Sequence, residues 1–393
     1  MQKPESKILA TSKLYLETKA VKQNVKFVKN QLNGNTLLSA VVKGNAYGHG
    51  ITQMIPLFEA EGINHFSVFS AHEAYQVCEV KDANSHVMIM GWIDDDAISW
   101  AINHGVSFYV FELDRLTSAI EAAKEAGKQA LIHIEVETGM NRTGFEADTI
   151  DELIQLIQDN KQYLKLEGLC THYAGAESIT NYLRIQEQIR LFNNYVQLFE
   201  QAGLTAKYKH TSCSAAIISY PETQLDMVRV GILLYGFWPN RETFIYHQRA
   251  KIQASTRAKD PLKRVIRWTS KVMSIKQVPM GEFIGYGTSY QAAKNMKMAT
   301  VPVGYAYGFS RSLSNQGRVI INGKRVAVIG TINMNLLMVD ATEIKNVKKG
   351  DEVILIGKDK KVEVTVSSFG ELSNQLNYEL LSRLPIDIPR IVN

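Results

Sequence analysis

The 393-residue sequence holds only three cysteines, Cys78, Cys170 and Cys213, too few and too scattered for a disulfide framework or a zinc site. They read as reduced thiols, as in a cytosolic protein. Nowhere do about 18 apolar residues follow one another, so no membrane span is expected. The opening stretch MQKPESKILATSKLYLETKAVKQ has no apolar h-region and no cleavage pattern, so a secretory signal is not expected and the cytoplasm is. Repeats at a fixed period and low-complexity tracts are also missing. Neither charge sign dominates, with 44 Lys+Arg against 39 Asp+Glu, a formal +5. Charged residues make up 21% and hydrophobic residues 45%, which excludes a disordered or collagen-like chain and supplies a large core.

What is there divides into two regions. Up to about residue 235, short β-branched runs alternate with amphipathic helical stretches. The strand candidates are residues 36–42, 65–69, 86–90, 106–111, 131–136, 166–171, 206–211 and 227–232. The clearest helix places Ile185, Ile189, Phe192, Val196 and Phe199 on one face. Eight strands alternating with helices point to parallel βα units that close into a barrel, and such a barrel absorbs roughly 250 residues. Composition leaves a doubly wound open sheet as the alternative. Beyond Phe237 the apolar positions thin out, and residues 249–267 carry seven Lys/Arg against Asp260. We read that segment as a solvated linker rather than a binding site for an anionic partner. Its net +6 accounts for the whole formal charge, so nucleic acid is not needed as a partner. From Val272 the pattern is strands and turns, with Asn322-Gly323 and Lys349-Gly350-Asp351 as turn signals. The expected division is therefore a barrel over 1–245, whose first residues are candidates for the second domain. A basic linker or insertion follows over 246–264, and a β-rich domain over 265–393.

The unusual sequence is AVVKGNAYGHG, residues 40–50, which sets Lys43 just past the first strand. In a (β/α)8 barrel that is the C-terminal rim, where active sites are built. A lysine facing a strand-end cavity is partly desolvated, its pKa falls, and it can form a Schiff base. Other polar residues gather at the same end. Arg142 and Gly144 follow the fifth strand, and His172 and Tyr173 close the sixth. Ser212, Ser214 and Ala215 follow the seventh, while Arg229, Gly231 and Ile232 end the eighth. Gly231 and Ile232 can offer backbone N–H groups, and Ser214 a hydroxyl, to a phosphate after the last strands. A rim lysine opposite a phosphate site suits pyridoxal 5'-phosphate (PLP).

The segments AVVKGNAYGHG, ETGMNRTG, THYAGAE, VRVGILLYG, IGYGTSY and VPVGYAYG, in this order, resemble the alanine racemase family of fold-type III PLP enzymes. The resemblance runs from about residue 12 to the end. It implies an N-terminal (β/α)8 TIM-type barrel followed by a mostly β domain, and a homodimer whose two active sites each draw on both chains. It implies that Lys43 carries PLP and acts as one catalytic base, on the D-enantiomer. Tyr286, from the second subunit, would be the other base, on the L-enantiomer. Two bases on opposite faces of Cα are the chemical minimum for racemisation. The resemblance further gives Tyr47, Ser214, Gly231, Ile232 and Tyr305 to the phosphate and lays His172 against the pyridine ring. Arg229 would face the pyridine nitrogen. Arg142 and the backbone N–H of Met334 would meet the substrate carboxylate.

The sequence departs from the family pattern at informative positions. Where the family usually has a lysine, often carbamylated, stands Glu135, which brings a carboxylate of its own to orient Arg142. Cys213 replaces the asparagine that usually precedes the phosphate serine. Tyr307 replaces an aspartate, and Thr331-Ile-Asn-Met-Asn335 replaces Arg-x-x-Met-Asp. At the C-terminus, Ile386 (Pro385 if the register slips by one) occupies the place of a tyrosine that crowds the substrate methyl group in many members. The expected activity is interconversion of L- and D-alanine, supplying D-amino acid for cell-wall precursors. The alternatives are the same chemistry on serine or a broader set of amino acids, or a non-catalytic PLP-binding protein.

Overall fold

The computed structural model describes residues 10–253, 259–366 and 377–393. They form two compact units. One takes residues 19–44 and 54–263, the other the described residues among 1–18, 45–53 and 264–393.

Strand β1 (Lys13–Leu16) belongs to the second unit. The first is built on β2 (Leu37–Val41), β3 (His65–Val68), β4 (His86–Ile89), β5 (Ser107–Val110), β6 (Ala130–Glu135), β7 (Leu164–Cys170), β8 (Tyr208–His210) and β9 (Met227–Val230). All eight are parallel, in the order β8-β7-β6-β5-β4-β3-β2-β9. The ring closes because β9 returns to β2, with Leu37 opposite Met227 and Ser39 opposite Arg229. On its other side, the Arg229 N–H donates to the Ser212 carbonyl at 2.9 Å and the Asp226 N–H to the Lys209 carbonyl at 3.1 Å. An open doubly wound sheet has no such return, so the barrel expectation holds. The expected strands are all present, with ends that differ.

The helix expected around Ile185 spans Tyr182–Gln201. Ile185, Phe192 and Phe199 are buried on it as the periodicity requires, each burial stabilising by about 1.5–3 kcal/mol. Two buried positions differ from the expected face. Tyr195 takes the place of Val196, and Gln188, a polar residue, is wholly buried beside Ile189. The segment read as a linker is also corrected. Residues 241–253 are a helix, Arg241–Gln253. Residues 260–263 are fastened to the barrel's first helix, Thr18–Lys29. There the buried Asn24 donates to the Lys263 carbonyl at 2.7 Å and accepts from the Lys263 N–H at 2.8 Å. Arg257 lies outside the described residues.

The second unit is one mixed sheet. Its remaining strands are β10 (Ile266–Lys271), β11 (Ser274–Val278), β12 (Met296–Val301), β13 (Arg318–Ile321), β14 (Lys324–Ile329), β15 (Leu337–Asp340), β16 (Glu352–Asp359), β17 (Val362–Val364) and β18 (Arg390–Val392). The path runs β11-β12-β15-β14-β13-β16-β10-β1-β18, with β17 on β16. Sequence reading missed β1, β10 and β18. Each gains its ladder from partners far along the chain, β1 lying antiparallel to β10 and parallel to β18. Local pattern carries no trace of such pairing. No helix among the described residues is long and apolar enough to cross a membrane.

Candidate active site

The barrel unit brings Lys43, Arg142, His172, Ser214, Arg229, Gly231 and Ile232 to the C-terminal ends of its strands, because parallel strands all end on one side. Lys43 follows β2 and keeps solvent contact, yet enough protein surrounds it that desolvation pulls its pKa below the usual lysine value. Arg142 adds to this, with a smaller contribution from Arg229, while Glu73 opposes them. Such an ammonium gives up its proton more readily than one in water. Glu73 acts mainly on the backbone, accepting from the Gly44 N–H at 2.6 Å and the Phe69 N–H at 2.9 Å. His172 is held to about 3 by burial and by Arg229, Arg142 and Lys43, so its ring is neutral. The Gly231 N–H donates to the Ser214 hydroxyl oxygen at 3.0 Å, coupling two of the expected phosphate ligands.

Arg229, 5% exposed, is the most firmly fixed side chain. Its terminal N–H groups go to the carbonyls of His210 (2.8 Å), Thr171 (2.9 Å) and Thr211 (3.2 Å) and to His210 Nδ1. A guanidinium only donates, so His210 Nδ1 must accept and the imidazole proton sits on Nε2. That proton is then donated to His133 Nδ1 at 2.9 Å. Burial and the neighbouring positive charge hold both histidines well below their usual pKa, so both stay neutral. The four terminal hydrogens of Arg229 thus have four protein acceptors, which leaves Nε–H as its remaining donor.

Arg142 stands on a loop that its own backbone shapes. Glu137 accepts from the N–H groups of Gly139, Met140 (2.6 Å) and Arg142 (3.3 Å), which brings its pKa below the usual carboxylate value despite partial burial. Gln188 joins this loop to the β7 end. It donates to Thr138 Oγ1 (3.1 Å) and the His172 carbonyl (3.0 Å), and accepts from the Ala174 N–H (2.8 Å). Glu135 meets Arg142 only as an ion pair at 3.9 Å, too long for a hydrogen bond, and takes its hydrogen bond from Thr143 at 2.8 Å. Burial raises its pKa, against the opposing pull of Thr143 and Arg142.

The β unit carries the other expected residues. Tyr47 lies in the helical turn Lys43–Tyr47, whose handedness is unusual. Gly44, Asn45, Ala46, Tyr47 and Gly48 have φ of 63°, 53°, 53°, 51° and 76°, a left-handed turn. For Ala46 and Tyr47 this costs roughly 1–2 kcal/mol each. Tyr305 and Met334 are adjacent: the Tyr305 N–H donates to the Asn333 carbonyl at 3.1 Å and the Ala306 N–H to the Met334 carbonyl at 3.0 Å. The loop bearing Tyr286 lies against the same region, with Ser289 and Thr331 hydroxyls 3.0 Å apart. Tyr286 and Met334 are exposed, at 73% and 55%.

The N-terminal domain model of the alanine racemases matches residues 16–239, and their C-terminal domain model residues 265–392. The chain belongs to the alanine racemase family. It is 33% identical to the alanine racemase of Methanococcus maripaludis, over 96% of this chain and 97% of that protein. Among solved structures, the alanine racemase of Clostridium difficile 630 is 30% identical with a TM-score of 0.88, covering 98% of this chain and 97% of that one. The alanine racemase of Bartonella henselae with covalently bound pyridoxal phosphate is 25% identical with a TM-score of 0.82, covering 98% and 100%.

Several residues that brace this candidate site escaped sequence reading: Glu73, Glu137, Gln188, His133 and His210. One signal was available. In Ile132-His-Ile-Glu135 the strand period of two puts His133 and Glu135 on one face, and a polar face on a barrel strand marks a polar interior. Gln188 offered only its place on the apolar face between Ile185 and Phe192, which marks it as buried but not as part of the site.

Proposed function

We propose that this protein racemises alanine with pyridoxal 5'-phosphate carried on Lys43, by two bases, Lys43 and the partner subunit's Tyr286, in a homodimer of the cytoplasm that supplies D-amino acid for cell-wall precursors. The observation that carries the reading is the place of Lys43, just past β2 on the rim where Arg142, His172, Ser214 and Arg229 also stand; desolvation and Arg142 lower its pKa there. A lysine so placed can react with an aldehyde as the uncharged amine. The rest of the donor set fits this cofactor. Ser214 and Gly231 form a hydroxyl and N–H pair suited to a phosphate, Arg229 keeps Nε–H as a donor toward a ring nitrogen, and His172 is a neutral ring able to lie against another. Tyr47, Ile232 and Tyr305 complete the phosphate set.

Bound there, PLP would draw electrons from the substrate Cα and make its proton removable. The residues of the chain decide where that proton goes. Lys43 takes it from the D-enantiomer while Tyr286 delivers a proton on the opposite face to give the L-enantiomer, and in the reverse direction Tyr286 takes the proton and Lys43 delivers one. The guanidinium of Arg229 stays charged and cannot readily yield a proton. It therefore keeps the nitrogen it faces unprotonated, limits how far negative charge spreads, and favours return of the proton to Cα. Arg142 and the Met334 N–H orient the substrate carboxylate.

The test is a screen of every L-amino acid for its enantiomer, using purified protein and added PLP. Alanine should exceed all others, and no turnover of any would sink the proposal. A second reading, the same chemistry on a broader set of amino acids, is favoured by Ile386, an exposed aliphatic side chain where many members crowd the substrate with a phenol.

A further inference from the structure

The left-handed turn 44–48 needs something to hold it, because strained backbone persists only where the surroundings over-determine it. Asn45 and Gly can adopt positive φ with little penalty, whereas Ala46 and Tyr47 cannot. Part of the support is local. The His49 N–H donates to the Ala46 carbonyl at 3.0 Å, the Gly50 N–H to the Asn45 carbonyl at 2.9 Å, and the Ile51 N–H to Asn45 Oδ1 at 3.0 Å. The rest comes from the far end of the chain, 342 residues on in the case of Arg390. Gly48 lies so close to Leu381 that a Cβ there would stand 1.9 Å from the Leu381 carbonyl oxygen, and its own carbonyl accepts from Arg390 Nε at 3.2 Å and NH2 at 3.0 Å.

The same guanidinium reaches the carbonyls of Pro385 (2.8 Å), Ile386 (2.8 Å), Ile388 (2.7 Å) and Leu384 (3.3 Å). Its hydrogen bonds thus all end on backbone oxygens, one at the exit of the turn and the others in a single bend of chain. Its own backbone is anchored, since β18 begins at Arg390 and pairs with β1, where the Leu14 N–H donates to the Pro389 carbonyl at 2.9 Å.

We infer that Arg390 is a positioning residue: by clamping the Gly48 carbonyl to the 384–388 bend, it holds the strained turn that begins at Lys43 and contains Tyr47, and fixes the bend that carries Ile386. The planar fork of arginine serves this purpose where a lysine's point charge would not, because it sends hydrogens to two segments at once. The inference leans on the proposed function only for what the turn carries. The clamp itself can be tested without cofactor or substrate.

The test follows amide hydrogen exchange at His49, Gly50 and Ile51 in the full chain without PLP, and then the dissociation constant for PLP. In Arg390→Met those three amides should exchange faster by roughly tenfold or more, while the β10–β16 ladder keeps its protection. PLP should bind correspondingly more weakly. Arg390→Lys should fall between, and it decides the matter alone if the methionine variant does not fold. Adding Ala46→Gly to Arg390→Met should recover both protection and PLP affinity, since glycine removes the strain that the clamp opposes. Unchanged exchange at 49–51 in the folded variants overturns the inference. So does acceleration spread evenly over the β sheet, which is what a merely structural role would give, and so does failure of Ala46→Gly to restore protection. If wild-type protein binds no PLP, the functional reading fails while the exchange result still stands.

Discussion

The barrel unit and the β unit handle their site residues differently. In the barrel unit Lys43 and Arg142 stay exposed at the rim, while the residues beneath them are buried and braced: Arg229 is 5% exposed and Ser214 8%, each with hydrogen-bond partners within its own unit. In the β unit the matching residues are presented outward, Tyr286 at 73% and Met334 at 55%. A buried guanidinium with a protein acceptor for each terminal hydrogen, three carbonyls and the His210 Nδ1, is positioned by folding alone, which is the preorganisation a cofactor seat requires. An exposed phenol on a loop is positioned only by whatever it docks against. The proposed function gives this contrast a reading: the braced residues would seat the cofactor, and the exposed phenol would serve a site completed by a second subunit.

The strongest test of that contrast pairs the two proposed bases. Lys43→Ala should abolish both racemisation and the absorbance of the Lys43–PLP adduct. Tyr286→Phe should keep the absorbance and lose about 10²–10⁴-fold in turnover, the range of a lost acid–base group. Mixing the two inactive variants under conditions that exchange subunits should then restore about a quarter of wild-type activity, because half the dimers are mixed and each holds one intact site. No recovery, with exchange verified by mass spectrometry, would break the shared-site picture.

Within the barrel unit, Arg229→Glu tests whether the seat also directs the chemistry. A carboxylic acid can pass a proton to the ring nitrogen where arginine cannot. Transamination should rise relative to racemisation, measured as keto acid formed per enantiomer formed. An unchanged ratio counts against the role given to Arg229.

This asymmetry was only half legible in the sequence. Strand ends carrying Lys43, Arg142, His172 and Arg229 could be ordered by counting βα units, because a parallel barrel puts every strand's C-terminal end on one side. The braces could not. His210 is read from its proximity to Arg229 nineteen positions later, and Gln188 from three partners on two different loops. These are distances in space that no periodicity encodes. The same holds for β1, whose strand character comes from β10 and β18. The left-handed turn at 44–48 stood closer to the surface of the sequence. Its glycines were visible, but Ala46 and Tyr47 at positive φ follow from local bonds and the Arg390 clamp, and neither residue type announces it.

Glu135→Gln separates orientation from stability within the buried set. Burial raises the Glu135 pKa, so the folded protein binds its proton more tightly than the unfolded chain does. Between the ordinary and the raised value, stability therefore falls as pH rises, and above that window the carboxylate is a cost to the fold. Glutamine removes that cost and can still accept from Thr143. The melting temperature at neutral pH should hold or rise, while kcat/KM falls about fivefold, the scale of a partly exposed ion pair worth up to roughly 1 kcal/mol. Bicarbonate should not restore it, because no lysine is present at 135 to carbamylate. Full activity in the variant would remove Glu135 from the account of Arg142.

The smallest effect is expected on the exposed side, at Ile386. The side chain is 75% exposed, and its carbonyl is held by Arg390 at 2.8 Å, so the backbone is fixed while the aliphatic group is presented outward. If it lines the substrate pocket on assembly, as the resemblance implies, Ile386→Tyr adds bulk and a hydroxyl beside the substrate side chain. A change of one carbon in such a pocket is worth about 1–3 kcal/mol, roughly 10–200-fold in selectivity. Alanine should then gain on the next larger amino acids by about tenfold in the ratio of kcat/KM values, the low end of that range. Stability should be unchanged, because an exposed side chain contributes little to the core. A ratio that does not move would place residue 386 outside the pocket and move the search for substrate selectivity to Thr331, Asn335 and Cys213. Those positions also depart from the family pattern, and Cys213, unlike the other two, lies in the barrel unit beside Ser214.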